Sequence, residues 1–313
     1  MGQRYIAFPK EVTLPFAPIE NHRGREKGVL VYPVYSRRSG GLSVGINLFP
    51  DKKCCQFDCP YCEVFPFATN AVFFPVQMET DLRAAIAAAL KRNEEVRDIC
   101  FSGNGEPVMS PDFPEALNRA GRIRAEMVPA AELVLITNGS GLLDESIFSL
   151  LRDAAAGSLG LNIWLKVDAG TPEWYGKINR SLLPFEKITA KIKEFAACAP
   201  FTIQTMLCTV DGKGPPPEEA AAWEKLIIEA AISGVQAPDG KGGGRNRTLL
   251  CKVQIYGKAR PAPEDPKASA LPAELLEERA ESLRSALAEA LALAFAVAFT
   301  DETIAPPPVE VYY

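Results

Sequence analysis

Short apolar runs alternate with stretches of helical periodicity along most of the chain. Strands are expected at Leu42–Phe49, Asp98–Ser102, Glu132–Thr137, Leu161–Val167, Phe201–Thr209 and Leu249–Tyr256. Apolar residues three and four apart predict helices over 77–95, 112–126, 144–154, 185–198, 217–233 and 272–293. Strand followed by helix, repeated along the chain, is the pattern of βα units around a parallel sheet. In the fourth strand Ile163, Leu165 and Val167 share one face, while Asn162, Trp164, Lys166 and Asp168 share the other. The apolar face can pack under helices and the polar face can line a barrel or cleft. The sixth strand repeats this, with Cys251, Val253 and Ile255 expected toward the helices and Lys252, Gln254 and Tyr256 inward. The expected fold is α/β, a partial (β/α)6-type TIM barrel. Its expected division is an N-terminal arm over 1–41, a core barrel over 42–260, and a C-terminal helix and extension over 261–313 packed on the core.

Turn-forming residues punctuate the pattern. Gly214–Pro217 is a turn before a helix, and Arg260–Pro272 is a Pro-rich connection. The Gly-rich stretch 236–247 reads as a solvated connector, with a lid or phosphate-binding loop as the alternative, and the tail APPPVEVYY reads as an irregular extension.

Composition narrows the function classes. At 47% hydrophobic and 23% charged residues the chain is an ordinary globular one, which excludes disorder and fibrous folds. A net charge of -5 lacks the electrostatic footprint of a dedicated nucleic-acid binder. No run approaches the roughly 20 apolar residues of a membrane span, and the start MGQRYIAFPKEV lacks the apolar stretch of a signal peptide. Cytoplasmic residence without membrane contact is the expectation. Eight cysteines in that setting point to metal binding or catalysis before disulfides.

Three of them, Cys55, Cys59 and Cys62, stand in a C-x3-C-x2-C array just after the first strand. A four-iron cluster is normally held by four cysteines, so a loop offering three leaves one iron open to a small molecule. Zinc is the competing reading, although a structural zinc wants four ligands, His22 is the single histidine, and Cys54 is badly placed to join its neighbour on one ion. Unligated thiols are the third. Later βα junctions carry polar or glycine residues at the carboxyl ends of strands, where α/β enzymes place their sites: FSGNGEP, ITNGS and LKVDAG. In Gly103, Asn104, Gly105 and Glu106 the glycines can let a ligand reach backbone, and the carboxylate can receive an ammonium group.

The cysteine loop with Tyr61 before its last cysteine, followed by the Gly-Asn-Gly-Glu segment, resembles the radical S-adenosylmethionine superfamily. The segments VYPVYSRRSGGLSVGINLFPDKKCCQFDCPYCEV, FSGNGEP, KVDAGTPEWYGKINRS and VQIYGKARP are similar to iron–sulfur oxidoreductases related to the tRNA wybutosine-synthesis radical enzymes. The resemblance implies that Cys55, Cys59 and Cys62 ligate a [4Fe-4S] cluster whose fourth iron is chelated by S-adenosylmethionine. It puts Tyr61 near the adenine, and Gly103, Asn104, Gly105 and Glu106 at the methionine ammonium. Asn138, Lys166 and Asp168 are its looser candidates for ribose and carboxylate contacts. The implied reaction is reductive cleavage to a 5'-deoxyadenosyl radical that abstracts hydrogen from an unidentified substrate. The implied electron donor is a reductase or a flavodoxin- or ferredoxin-type protein. Two departures stand out: an extra Cys54, and Gly-Asn-Gly-Glu in place of Gly-Gly-Glu. Wybutosine-type enzymes carry a second cluster on N-terminal cysteines, whereas residues 1–53 contain none, which argues against tRNA chemistry. The alternatives are a tRNA-modifying radical enzyme and a non-catalytic iron–sulfur or zinc protein.

Cys100, Cys198, Cys208 and Cys251 are widely spaced and read as apolar packing. His22 reads as a surface residue, Gln204 and Gln254 as inward-facing, and Arg37 and Arg38 as solvated or in a structural ion pair rather than on a substrate.

Overall fold

The computed structural model describes residues 28–64, 66–236, 247–260, 262, 267–298 and 304–313. The chain opens with a hairpin in which β1 (Val31–Ser36) runs antiparallel to β2 (Gly41–Ile46). Four βα steps follow: α1 (Pro75–Lys91) to β3 (Val96–Phe101), α2 (Phe113–Met127) to β4 (Glu132–Thr137), α3 (Glu145–Ala156) to β5 (Leu161–Lys166), then α4 (Pro172–Ile178) and α5 (Phe185–Ala196) to β6 (Phe201–Val210). After α6 (Pro217–Ser233), the short antiparallel pair β7 (Val235–Gln236) and β8 (Arg247–Thr248) flanks the Gly-rich stretch, whose residues 237–246 lie outside the described residues. So does the arm through residue 27, with His22. The chain ends in β9 (Leu250–Gly257), β10 (Ala268–Ala270), α7 (Ala273–Ala298) and β11 (Val309–Tyr312).

One curled sheet runs in the order β1-β2-β3-β4-β5-β6-β9-β11, with β10 antiparallel on β6. Every neighbouring pair from β2 to β11 is parallel, so this is the partial TIM barrel expected from the alternation. The core lies between its outer face and the helices. Ile163, Leu165 and Val167 are buried there, and α5 presents Ile188, Ile192 and Phe195 at helical spacing. On α7 the stripe Leu276, Ala280, Leu283, Leu287, Leu291 and Phe295 is fully buried; each such leucine stabilises the fold by roughly 2 kcal/mol relative to exposure. Asp144 starts α3 by accepting from Ser146 N at 2.8 Å, and Thr171 starts α4 by accepting from Trp174 N at 3.2 Å.

The structure corrects two readings of the sequence. The tail is a parallel strand: Val309–Tyr312 pair with Val253–Tyr256, and Arg284 holds the Val309 carbonyl at 2.9 Å. Cys251 does not face the helices. Phe201 pairs with Leu250 but Thr202 pairs with Lys252, so Cys251 is the extra residue of a bulge. Leu250 joins the core in its place, and Cys251 is exposed toward a polar cavity at the amino-terminal end of the strands. Beyond the bulge, Val253 and Ile255 are buried outward as expected.

Candidate functional site

The cysteine loop joins β2 to α1 at the carboxyl ends of the strands, and its backbone is laced to the loop after β3. Cys54 N donates to Asn104 O at 3.0 Å and Glu106 N donates to Cys54 O at 2.8 Å. Below them the fully buried Asn47 accepts from Asn104 N at 3.1 Å and donates to Val29 O at 3.0 Å. This contact explains the glycines. A Cβ on Gly105 would lie 1.8 Å from Cys54 O, and one on Gly103, whose φ is +129°, would lie 2.7 Å from Asn47 Oδ1. Their side-chain positions are filled by protein, while both residues also wall a cavity of about 340 Å³ inside the barrel mouth, together with Tyr61 and Cys62.

Glu106 faces away from that cavity. It is 3% exposed and closes the end of β4, accepting from Thr137 Oγ1 and Asn138 N, both at 2.7 Å. Burial pushes its carboxyl up to about 7 against these bonds. The groups of this segment that stand open to a ligand are therefore backbone atoms of Gly103 and Gly105, with Asn104 buried beneath.

The loop rests on a small apolar cluster. Phe57 packs edge-on against Tyr175 at 5.7 Å, among Trp174, Ile178, Met206 and Cys208, and Cys55, Cys59 and Tyr61 pack against the same group. Two asparagine amides reach the sulfurs. Asn138 Nδ2 donates to Cys55 Sγ at 3.5 Å, and Asn179 Nδ2 donates to Cys59 Sγ at 3.5 Å. Burial pushes the Cys55 thiol up to about 11 and, with the nearby Asp168 carboxylate, the Cys59 thiol up to about 12. In the metal-free chain both are protonated at neutral pH, and a metal would displace the protons on binding. Cys62 donates to Val64 O at 3.5 Å and lines the cavity.

Asp168, at the end of β5, ties the site together. It is 4% exposed and accepts from Lys166 Nζ at 2.8 Å, Met206 N at 2.8 Å, Asn179 Nδ2 at 3.1 Å and the Tyr61 hydroxyl. Lys166 also donates to the Tyr256 hydroxyl. Burial pulls the Lys166 ammonium down, but Asp168 and Tyr256 more than offset it and hold it above its ordinary value. The carboxylate thus holds the aromatic residue of the cysteine loop, the end of α4 and strand β6 in one arrangement. Asn179 was not singled out from sequence; its only signal there is its place in the KVDAGTPEWYGKINRS segment.

The donor set fits an iron–sulfur group. It consists of soft thiols with amide donors aimed at them. Among the described residues no three His, Cys, Asp or Glu side chains, the loop cysteines included, are gathered closely enough to hold a metal ion. Of the other cysteines, Cys100 is buried with Val134 and Trp164 and Cys208 with Phe57 and Met206, as expected of packing residues. No helix among the described residues is long and apolar enough to cross a membrane.

Comparison with known proteins agrees with this picture. Residues 52–221 match the Radical SAM superfamily, a span of more than half the chain that runs from the cysteine loop into α6. The chain is similar to a UPF0026 protein of Helicobacter pylori, with 24% identity over 162 residues covering 50% of this chain and 51% of that one. It thus spans about half the length of that relative. It is also similar to part of a GTPase Obg of Brachyspira hyodysenteriae, with 26% identity over 200 residues covering 62% of this chain and 27% of the other. Among solved structures, a radical SAM methyltransferase from Sphaerobacter thermophilus shares the fold, with a TM-score of 0.56 and 15% identity over 90% of this chain and 68% of that one. From the family match, on a half-barrel that carries its cysteine loop at the strand ends, the chain belongs to the radical S-adenosylmethionine superfamily.

Proposed function

We propose that this chain is a radical enzyme of the iron–sulfur oxidoreductase kind, related to the wybutosine-synthesis group and acting on a small substrate in the cytoplasm. Cys55, Cys59 and Cys62 would hold a [4Fe-4S] cluster, with S-adenosylmethionine at its fourth iron. The observation that carries the reading is that Cys62, Tyr61, Gly103 and Gly105 wall one cavity inside the barrel mouth. When bound, cluster and S-adenosylmethionine would supply one-electron cleavage of a carbon–sulfur bond and, with it, the means to take a hydrogen atom from the substrate. The electron would come from a reductase or a flavodoxin- or ferredoxin-type donor.

The chain's own work is to bind, orient and exclude water. Asp168 fixes the Tyr61 ring through its hydroxyl, so the ring has a defined place to meet an adenine. Asn138 and Asn179 present N–H groups to Cys55 and Cys59, which favours the electron-rich state of the sulfurs. Glu106, enclosed by Thr137 and Asn138, sets the spacing between the β3 and β4 loops. Trp164, Ile136 and Met206 make part of the cavity wall apolar, which keeps water from a reactive species.

Iron and sulfide analysis after anaerobic reconstitution tests the ligand set. Cys55→Ala, Cys59→Ala and Cys62→Ala each lose most of the bound iron, whereas Cys251→Ala, altered at the bulge, retains it. Equal iron in Cys59→Ala and Cys251→Ala would overturn the assignment.

A further inference from the structure

Arg38 follows β1 and reaches into the barrel from the amino-terminal side of the sheet, since β1 runs antiparallel to its parallel neighbours. Its guanidinium is held almost wholly by neutral groups. It lies 4.9 Å from the Tyr256 ring centroid and 5.8 Å from that of Trp164, and Nη1 donates to Gln204 Oε1 at 3.1 Å. Gln204 is fixed in turn by donating to the buried Gln254 at 2.7 Å, and the Tyr312 hydroxyl donates to the Arg38 carbonyl at 3.3 Å. A guanidinium has five N–H donors, and among the described residues the Arg38 side chain uses one in a hydrogen bond and makes no ion pair. Of the two settings expected for Arg37 and Arg38, solvated or ion-paired, Arg37 is exposed and Arg38 half-buried, and neither makes an ion pair among the described residues.

This half-buried cation separates two cavities. Above it is the 340 Å³ space walled by the cysteine loop; below it is a polar space of about 390 Å³. Asp98, Glu95 and Glu132 line the lower one; Asp98 is bonded to Ser43 at 2.5 Å and makes no ion pair with Arg38, although the Arg38 charge acts on its carboxyl. Two more guanidiniums, Arg37 and Arg260, stand at the exposed rim of the upper cavity, whose only lining carboxylate among the described residues is Glu63, paired with Arg260 at 3.1 Å. Burial and the charges of Arg260 and Arg38 pull Arg37 below its ordinary value, so these cations feel one another. A positive charge stacked on aromatic rings, with donors to spare and no carboxylate bonded to it, is favoured by an anion that can take up those donors.

We propose that the upper cavity binds its substrate through an oxyanion, a carboxylate or a phosphate, received by Arg38 on the floor with Arg37 and Arg260 at the rim. This deepens the radical-enzyme reading and rests on it for the word substrate; the anion site rests on the arginines alone. The cavity has the size of a small-molecule site. The cysteine loop, Gly103, Asn138 and Asp168 lie at the carboxyl ends of the strands, and Arg38 enters from the opposite end. An anion on Arg38 therefore leaves the rest of the molecule pointing toward the cysteine loop. S-adenosylmethionine has a carboxylate of its own, and the test separates that use of Arg38 from this one.

The full-length protein is reconstituted anaerobically and titrated calorimetrically with inorganic phosphate, with acetate and, separately, with S-adenosylmethionine. Arg38→Gln weakens the anion response about tenfold or more and Arg38→Lys weakens it less; Lys225→Gln, on the exposed face of α6, leaves it unchanged. The tighter of phosphate and acetate names the anion. Wild type binding neither anion more tightly than Arg38→Gln would overturn the proposal, and so would an equal loss of S-adenosylmethionine affinity in Arg38→Gln. A chain that takes up no cluster but still binds anion through Arg38 would sink the radical reading and leave this site standing.

Discussion

Glu106 shows what a single buried carboxylate does to this site. Its pKa is raised to about 7 by burial, so the folded chain holds the proton more tightly than the unfolded chain does. Its contribution to stability is full below about pH 4.5, falls as the pH rises and levels off above about 7. Denaturation of the metal-free chain at pH 5 and pH 8 should show the wild type losing on the order of 3 kcal/mol more than Glu106→Gln across that interval; parallel losses would contradict the assignment. Asn179 acts on the sulfur it touches. In the reconstituted protein Asn179→Ala should lower the cluster's midpoint potential by tens of millivolts, roughly one charge-assisted hydrogen bond, with iron content retained. An unchanged potential would leave Asn179 a purely structural role. From the residues the cysteines stood out by their spacing and the glycines by their place at a βα junction, while Tyr61 entered only through the resemblance. Asn179 and Arg38 did not stand out, because each earns its place through a contact far along the chain, to Asp168 and Gln204 respectively.

At the scale of elements, six of the seven parallel strands and six of the seven α-helices among the described residues were readable because each has a long apolar face at its own period. The others lacked that signal. Pro33 interrupts the alternation of β1, α4 is 7 residues long with Gly176 inside it, and β11 follows three prolines. Strand parity also failed at Cys251, where one extra residue reverses the faces. Strand β11 matters more than its length suggests, since it covers the edge of β9, takes the Arg284 bond and braces Arg38 through Tyr312. Removing residues 309–313 should cost about 2–4 kcal/mol, counting lost ladder bonds and the exposed Val309. Thermal unfolding that does not change on truncation would show that the strand is not part of the cooperative fold.

For the whole molecule, the half-barrel brings together two features that are separate in sequence. The cysteine loop closes one end of the upper cavity and the Arg38 guanidinium forms its floor, with aromatic and amide side chains between them. That layout is what the two proposals use, with cofactor chemistry at the strand ends and anion capture from the opposite side. The central claim is that the cysteine loop supports reductive cleavage of S-adenosylmethionine. The most direct measurement is anaerobic: the reconstituted protein is given a chemical reductant and S-adenosylmethionine, and 5'-deoxyadenosine is quantified beside Cys59→Ala. The wild type should form it and Cys59→Ala should not; a wild type that carries a cluster and binds S-adenosylmethionine but releases no 5'-deoxyadenosine would contradict the account.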